Sequence, residues 1–310
     1  MKKFFVIATA LLICFAAGAQ NQPKSAVFTP KKGDFSFGVT FNPLTEFASY
    51  QPSTGDFAGD YIKGLGEYPH QLYFLGVEPK LSFVLRKHLK DNWSARAAFG
   101  ISGSRINYKE YVRDDHAWKK TNGESLNTVE DAIVGDLKGW SLGVAAEYNK
   151  SFGRLSFIAG FGILFARGGG QMEFSYGNAF STDDNANNPT TMAYTKMTEN
   201  SLNEYTAGKV KNIAVARPIE RYNIGMCTAI GLTCDMGLEY FFAGQMSITA
   251  AVTFSPVTFF SQPQTYAKFE GYNTNDQEVQ KFNLLVSPGS KAILYGTQNV
   301  GLRFGFHYYL

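Results

Sequence analysis

The sequence predicts an all-β chain closed as an eight-stranded antiparallel up-and-down transmembrane β-barrel, with short turns at one end and long loops at the other. Three observations predict it. Large apolar residues alternate with small ones along eight separate segments, the period-two mark of strands with two different faces. The connections between those segments alternate in length. No segment beyond the N-terminus holds the roughly 18 consecutive apolar residues that a membrane helix needs. The 310 residues are 45% hydrophobic, 15% aromatic and 18% charged; so many aromatics with so few charges argue against a disordered chain, and no solenoid-length repeat is present.

The chain starts with Lys2 and Lys3, an apolar run over 4–17, and Ala17-Gly18-Ala19. A cationic start, a short apolar run and an A-x-A site make a secretory signal over 1–19, cut after Ala19. Cys14 does not suggest a lipid anchor, because Ile13 stands where that signal needs a small residue. Residues 20–33 carry Pro23, Pro30 and three lysines, and read as a periplasmic tether; the barrel domain is 34–310. Losing Lys2 and Lys3 lowers the formal charge from +3 to +1, which leaves no electrostatic case for nucleic acid. Cys227 and Cys234 then remain, seven residues apart on opposite faces of one strand. At roughly 23 Å they are far beyond disulfide reach, and they read as small packing residues.

Taken in order, the first strand shows Phe35, Phe37, Val39 and Phe41, and the second Tyr73, Leu75, Val77, Leu81, Phe83 and Leu85. The third has Trp93, Ala95, Ala97, Phe99 and Ile101, and the fourth Trp140, Leu142, Val144, Ala146 and Tyr148. The fifth runs from Leu155 through Phe165, after which the apolar positions change parity at Met172, Phe174 and Tyr176. Gly168-Gly169-Gly170 stands at that slip, and a glycine-permitted bulge would produce it. The sixth strand runs from Ile224 to Phe242, with nearly every large apolar residue at an even position. Met246, Ile248, Ala250, Val252 and Phe254 make the seventh, and Val300, Leu302, Phe304, Phe306, Tyr308 and Leu310 the eighth.

Short connections fall at 86–92, 149–154 and 243–245, and long ones at 43–70, 109–138, 177–222 and 260–298. Outer-membrane barrels have an even strand number, short periplasmic turns and long external loops. A soluble barrel would also alternate. Here the polar face is mostly Gly, Ala, Ser and Thr, which suit the cramped interior of an eight-stranded barrel. Aromatics such as Trp93, Tyr148, Tyr240, Phe242 and Tyr308 also gather near the short turns, where an interfacial girdle belongs.

On this strand pattern and its last segment, the mature chain from Asp34 to Leu310 resembles the transmembrane domain of the outer-membrane protein A type of small barrel. The resemblance implies a Gram-negative outer-membrane location, with outer-membrane lipid and the barrel-assembly machinery as partners. It also makes Phe304, Phe306, Tyr308 and Leu310 an assembly signal. Leu310 departs from the more usual terminal aromatic, and no peptidoglycan-binding segment follows it in the sequence.

Glu78, Lys80, Arg96, Glu147, Asp235, Glu239, Arg303 and His307 fall on the small-residue face. Charges of both signs inside a narrow barrel must pair, so these residues predict a structural plug rather than an ion path. Catalytic motifs fail on context. Gly139-Trp140-Ser141-Leu142-Gly143 matches a nucleophile elbow literally, yet Ser141 lies in mid-strand. His116 beside Asp114 and Asp115 reads as a solvated loop tip. The Asn-rich run from Asp183 to Asn188 lacks the glycine and terminal glutamate of a calcium loop. No cofactor or metal is implied. The expectation is a non-enzymatic structural or interaction protein, contacting a protein or glycan through its long loops or an outer barrel face. The aromatics Phe47, Tyr50, Phe57, Tyr61 and Tyr68 of the first long loop suit such contact or equally a cap over the barrel. A narrow channel is the alternative, and a barrel-type lipid-modifying enzyme or protease stands behind it.

Overall fold

A computed structural model of the chain describes residues 29–41, 81–180, 188–192, 195–198, 212–296 and 300–310. The predicted signal peptide and most of the tether lie outside them, as do the first half of the second predicted strand and the aromatics of the first long connection. Among the described residues the elements are β1 (Phe35–Phe41), β2 (Leu81–Lys90), β3 (Trp93–Arg113), α1 (Asp115–Lys120), β4 (Thr128–Phe152), β5 (Leu155–Ser175) and β6 (Met197–Thr198). They continue as β7 (Ile213–Ala243), β8 (Met246–Phe254), β9 (Val257–Gln262), β10 (Thr265–Asn273), β11 (Glu278–Ser287), β12 (Ser290–Tyr295) and β13 (Val300–Tyr309).

Eight of these strands close a ring in the order β1-β2-β3-β4-β5-β7-β8-β13, every neighbour antiparallel. The first and last strands seal it, with Gly38 opposite His307 and Phe41 opposite Phe304. A closed ring leaves no sheet edge along the part that meets lipid, where an unpaired backbone group is most costly. The short turns are tighter than the sequence reading had them: Asp91–Asn92, Gly153–Arg154 and Gly244–Gln245. Gly153 has φ +65°, the left-handed geometry that a two-residue turn favours. The start of β1 and the end of β13 sit at this end, since the Leu310 N–H donates to the Phe35 carbonyl at 2.8 Å and the Gly33 N–H to the His88 carbonyl at 2.8 Å.

Two of the four long connections, 109–138 and 260–298, are largely continued strands, a correction to the loops expected from sequence; 43–70 and much of 177–222 lie outside the described residues. β3 and β4 pair without interruption from Trp93↔Tyr148 to Arg113↔Thr128, so the expected loop at 109–138 shrinks to 114–127 and holds α1. The expected loop at 260–298 is a long hairpin. β8, β9 and β10 run end to end along β7, and β11, β12 and β13 return beside them. The hairpin turns over at 274–277. A membrane crossing needs only about 9–11 residues of strand, so β3, β4, β5 and β7 extend well beyond one.

The faces explain how far. Along the lower barrel large apolar side chains point outward, with Phe83 55%, Ile101 64%, Phe161 57% and Met236 62% exposed. Trp93 and Tyr148 meet at 5.5 Å and Phe37 and Tyr308 at 5.5 Å at the short-turn end; Trp140 and Phe165 meet at 5.1 Å at the other limit of the belt. Beyond Trp140 the polarity inverts. Outward positions become Arg105, Asn107, Lys109, Asp136, Lys138, Gln171 and Glu173, while Val112, Ile133, Met172, Phe174, Ile213, Ala216 and Phe269 are buried inside. Apolar groups face out where the surroundings are lipid and inward where they are water.

This inversion corrects the reading of the glycine run. The register does shift between Gly168 and Gly170 and again before Met172, and Gly169 has φ +150°. Yet the even residues Leu164, Met172 and Phe174 all stay inside. The apolar pattern changes parity because the environment changes, not because the strand swaps faces.

Candidate functional site

Six of the eight residues predicted to form a lumenal charge network converge inside the barrel. Glu78 and Lys80 lie outside the described residues. Arg96 on β3, Glu147 on β4, Asp235 and Glu239 on β7, and Arg303 and His307 on β13 are each buried. Arg86, which the sequence reading assigned to a turn, joins them at 1% exposure. The turn begins later than expected, and β2 carries its alternation on through Lys87 and Leu89. Continuing that parity to Leu89 is the signal that places Arg86 and His88 inside. Tyr309, passed over between the outward Tyr308 and Leu310, is fully buried as well.

The network is built around three acidic centres. Glu147 takes Arg86 Nε at 2.7 Å on one oxygen and Arg96 Nε at 2.8 Å on the other. Asp235 is bound by Arg96 Nη2, by Arg303 Nη1 at 3.3 Å and by the Thr253 hydroxyl at 2.7 Å. Glu239 takes Arg86 Nη1 at 3.0 Å, with the Tyr309 hydroxyl donating at 2.8 Å and Ser247 also donating. Three guanidiniums thus face three carboxylates from β2, β3, β4, β7 and β13, across the whole lumen. A buried charge is tolerated when paired and hydrogen-bonded, and both conditions hold here. Gly160 makes room: a Cβ there would stand 3.2 Å from Glu147 Cγ.

Packed side chains flank the charges in the lumen on either side. Towards the short turns the Tyr309 ring lies 5.4 Å from Phe241 and 5.9 Å from His88. Towards the extension Cys227, Ala229 and Phe260 pack together against Ala166, Ala292 and Leu294. Cys227 is a packing residue of that layer, while Cys234 faces outward opposite Phe161 and both thiols are free. His307 lies within 3.5 Å of the Thr249 hydroxyl and is boxed in by Gly38 and Gly305, where added Cβ atoms would meet its ring. Of the residues expected to form an assembly signal, Phe304, Phe306 and Leu310 face outward, and Tyr308 donates to Gln245 at 3.1 Å.

Above the membrane belt the extension has its own polar clasps. Asp131 accepts from the Gly177 N–H at 2.9 Å, the Thr191 hydroxyl at 2.8 Å and the Met192 N–H at 3.1 Å. Asp115 accepts from the Thr190 N–H at 2.6 Å, the Thr190 hydroxyl at 2.7 Å and Arg113 at 2.9 Å. Asn178 bridges the two strands of chain through the Arg113 and Thr190 carbonyls. Asp114 caps α1 by accepting from the Ala117 N–H at 3.0 Å. Both aspartates beside His116 therefore have structural duties, and His116 is exposed on α1. Ser141 is buried in mid-strand on the lumenal face of β4, which removes the elbow geometry its motif requires. Of the Asn-rich run, Asp183–Asn187 lies outside the described residues.

Burial alone would raise the Asp115 carboxyl, but the Thr190 donors and Arg113 hold it below the usual aspartate range. A depressed folded value means the clasp contributes its stability above the unfolded pKa and loses it as pH falls through the folded one. Acidification into that range should expose residues 188–192 to protease at the surface while the barrel stays folded. Asp115→Asn should produce the same clipping at neutral pH, read by limited proteolysis of intact cells.

A closed eight-stranded ring with a lipid-facing apolar belt, an aromatic girdle and a filled polar lumen defines a small transmembrane β-barrel of the outer-membrane kind. Among solved structures the chain is similar to the outer membrane protein OprG from Pseudomonas aeruginosa, at 13% identity and TM-score 0.32, covering 90% of this chain and 97% of that one. It is similar to Ail, the attachment invasion locus protein of Yersinia pestis, at 10% identity and TM-score 0.28 with 90% and 99% covered. A major outer membrane protein from Thermus thermophilus stands at 12% and 0.32, with 90% and 99% covered. No protein-family model and no curated protein matches the chain. The assignment of fold rests on the strand pairing and the faces of this chain itself.

Proposed function

We propose that this chain is a sealed, non-catalytic outer-membrane barrel that holds a folded extension outside the cell for contact with a protein or glycan partner. The observation that carries the reading is the lumen, crossed by a buried network of Arg–carboxylate ion pairs with packed side chains on either side. A filled interior suits an anchor rather than a pore. The extension supports the second half, because clasped strands on a rigid scaffold suit recognition better than loose loops do. Planar-bilayer recording of the purified full chain should give no steady conductance at moderate voltage. Large, reproducible single-channel steps would overturn the sealed reading.

One observation favours a second reading, a narrow hydrated path. Ser36, Thr40, Ser82 and His88 are buried with side-chain polar atoms that find no protein partner, as is Nδ1 of His307. All lie on the β1–β2–β13 wall of the barrel, and within the network Arg96 Nε and Glu147 Oε1 meet as an ion pair without hydrogen-bond geometry. Buried polar groups of this kind take ordered water. Proton uptake into vesicles without potassium flux would favour this path over a dry plug.

A further inference from the structure

At the outer limit of the belt, three cations come from three adjacent strands. Arg105 on β3, Lys138 on β4 and Arg167 on β5 all face outward and are exposed. The register sets Gly103 opposite Lys138, Arg105 opposite Asp136 and Trp140 opposite Arg167. Lys138 is therefore the diagonal neighbour of both arginines, at the ~7–8 Å that cross-strand diagonals allow. Lys138 stands between the two arginines, Arg105 level with Asp136 on one side and Arg167 level with Trp140 on the other. The residues directly beside Lys138 are Gly103 and Gly169, so no side chain flanks the ammonium on either neighbour. Ile101 and Trp140 stand level with Arg167, and Phe165 packs on Trp140 just below them at the edge of the belt. Asp136 engages Lys138 at 2.8 Å, leaving the patch with a net positive charge. Among the described residues no carboxylate pairs with Arg105 or Arg167, whereas Lys109 higher up is held by Glu130 at 2.7 Å.

We infer that Arg105, Lys138 and Arg167 bind the phosphates of a phosphorylated glycolipid of the outer leaflet, with Trp140 and Phe165 packing its acyl chains. The inference rests on the outer-membrane reading, which puts the long-connection end of the barrel in that leaflet. Charge complementarity selects the ligand. Clustered cations at a headgroup boundary attract anionic lipid at roughly fivefold in affinity for each Lys or Arg, and arginine matches phosphate with paired N–H donors. The apolar shelf beneath requires a ligand with hydrocarbon attached, which a free phosphate lacks.

The test uses the purified full chain in neutral detergent, with lipid retention read by native mass spectrometry. The probes are diphosphorylated lipid A, its dephosphorylated form and phosphatidylglycerol. The diphosphorylated glycolipid should be retained in preference to both others. A variant carrying Arg105→Ala, Lys138→Ala and Arg167→Ala should retain it on the order of 100-fold less. A control carrying Lys87→Ala and Lys150→Ala, near the opposite rim, should match the unaltered chain. Equal retention by the triple variant, or equal binding of phosphatidylglycerol, overturns the glycolipid site. The mobility shift between unboiled and boiled samples reports separately on the barrel. Its absence in the unaltered chain would overturn the membrane reading and the lipid site together.

Discussion

Replacing Glu147 with alanine lowers the unfolding free energy of the barrel by about 3–5 kcal/mol, the usual cost of stranding a buried charge. Glu147 is fully buried and holds Arg86 and Arg96 on separate oxygens. Without it the two guanidiniums keep only Glu239 and Asp235 as acidic partners, and the lumen carries an uncompensated positive charge. The measurement is the urea midpoint for loss of the compact gel band in folded, unboiled protein. A fall with unchanged slope is expected, since the surface exposed on unfolding stays the same. Glu147→Gln keeps the shape and part of the hydrogen bonding, so it should fall between the two. An alanine variant as stable as the unaltered chain would show that water reaches these arginines freely, and the plug reading would go with it.

Valine at Gly162 prevents barrel closure, or lowers stability by about 3 kcal/mol or more. The glycine lies on the inner face of β5, where an added Cβ would stand 2.3 Å from the Val144 carbonyl oxygen and 2.7 Å from the Ala145 Cβ. Its neighbours are backbone and a methyl group, neither of which can swing aside. A branched side chain forces β4 and β5 apart, and the adjoining Gly160 faces Glu147 and Asp235, so the spreading reaches the charge network. Refolding into detergent should give little heat-modifiable band for Gly162→Val. Valine at Gly244, in an open turn with nothing within 4 Å of the added carbon, is the control and should fold normally. Equal folding of both would mean that the β4–β5 contact relaxes without cost.

Much of this was legible in sequence because a membrane barrel writes its faces directly into the chain. Outward residues must satisfy lipid and inward ones a narrow lumen, so Ile230, Leu232 and Leu238 alternate with Gly231, Thr233 and Gly237. That contrast identified eight ring strands, three short turns, and Arg96, Glu147, Asp235, Glu239, Arg303 and His307 as lumenal residues. Arg86, His88 and Tyr309 were missed, because charge and a nearby Lys-rich stretch in β2 resemble a turn, and Tyr309 stands among outward aromatics.

The sequence by itself determined the period-two pattern and the chain's two-faced strands, because each follows from residues adjacent along the chain. Only the tertiary structure decided which charges pair with which. Arg86 and Glu239 are 153 positions apart and meet only across the lumen of the closed ring. The tertiary structure also decided where lipid ends and water begins. At Met172 and Phe174 the same alternation continues while its meaning reverses, since hydrophobicity tells which residues leave water but not whether lipid or a protein core receives them.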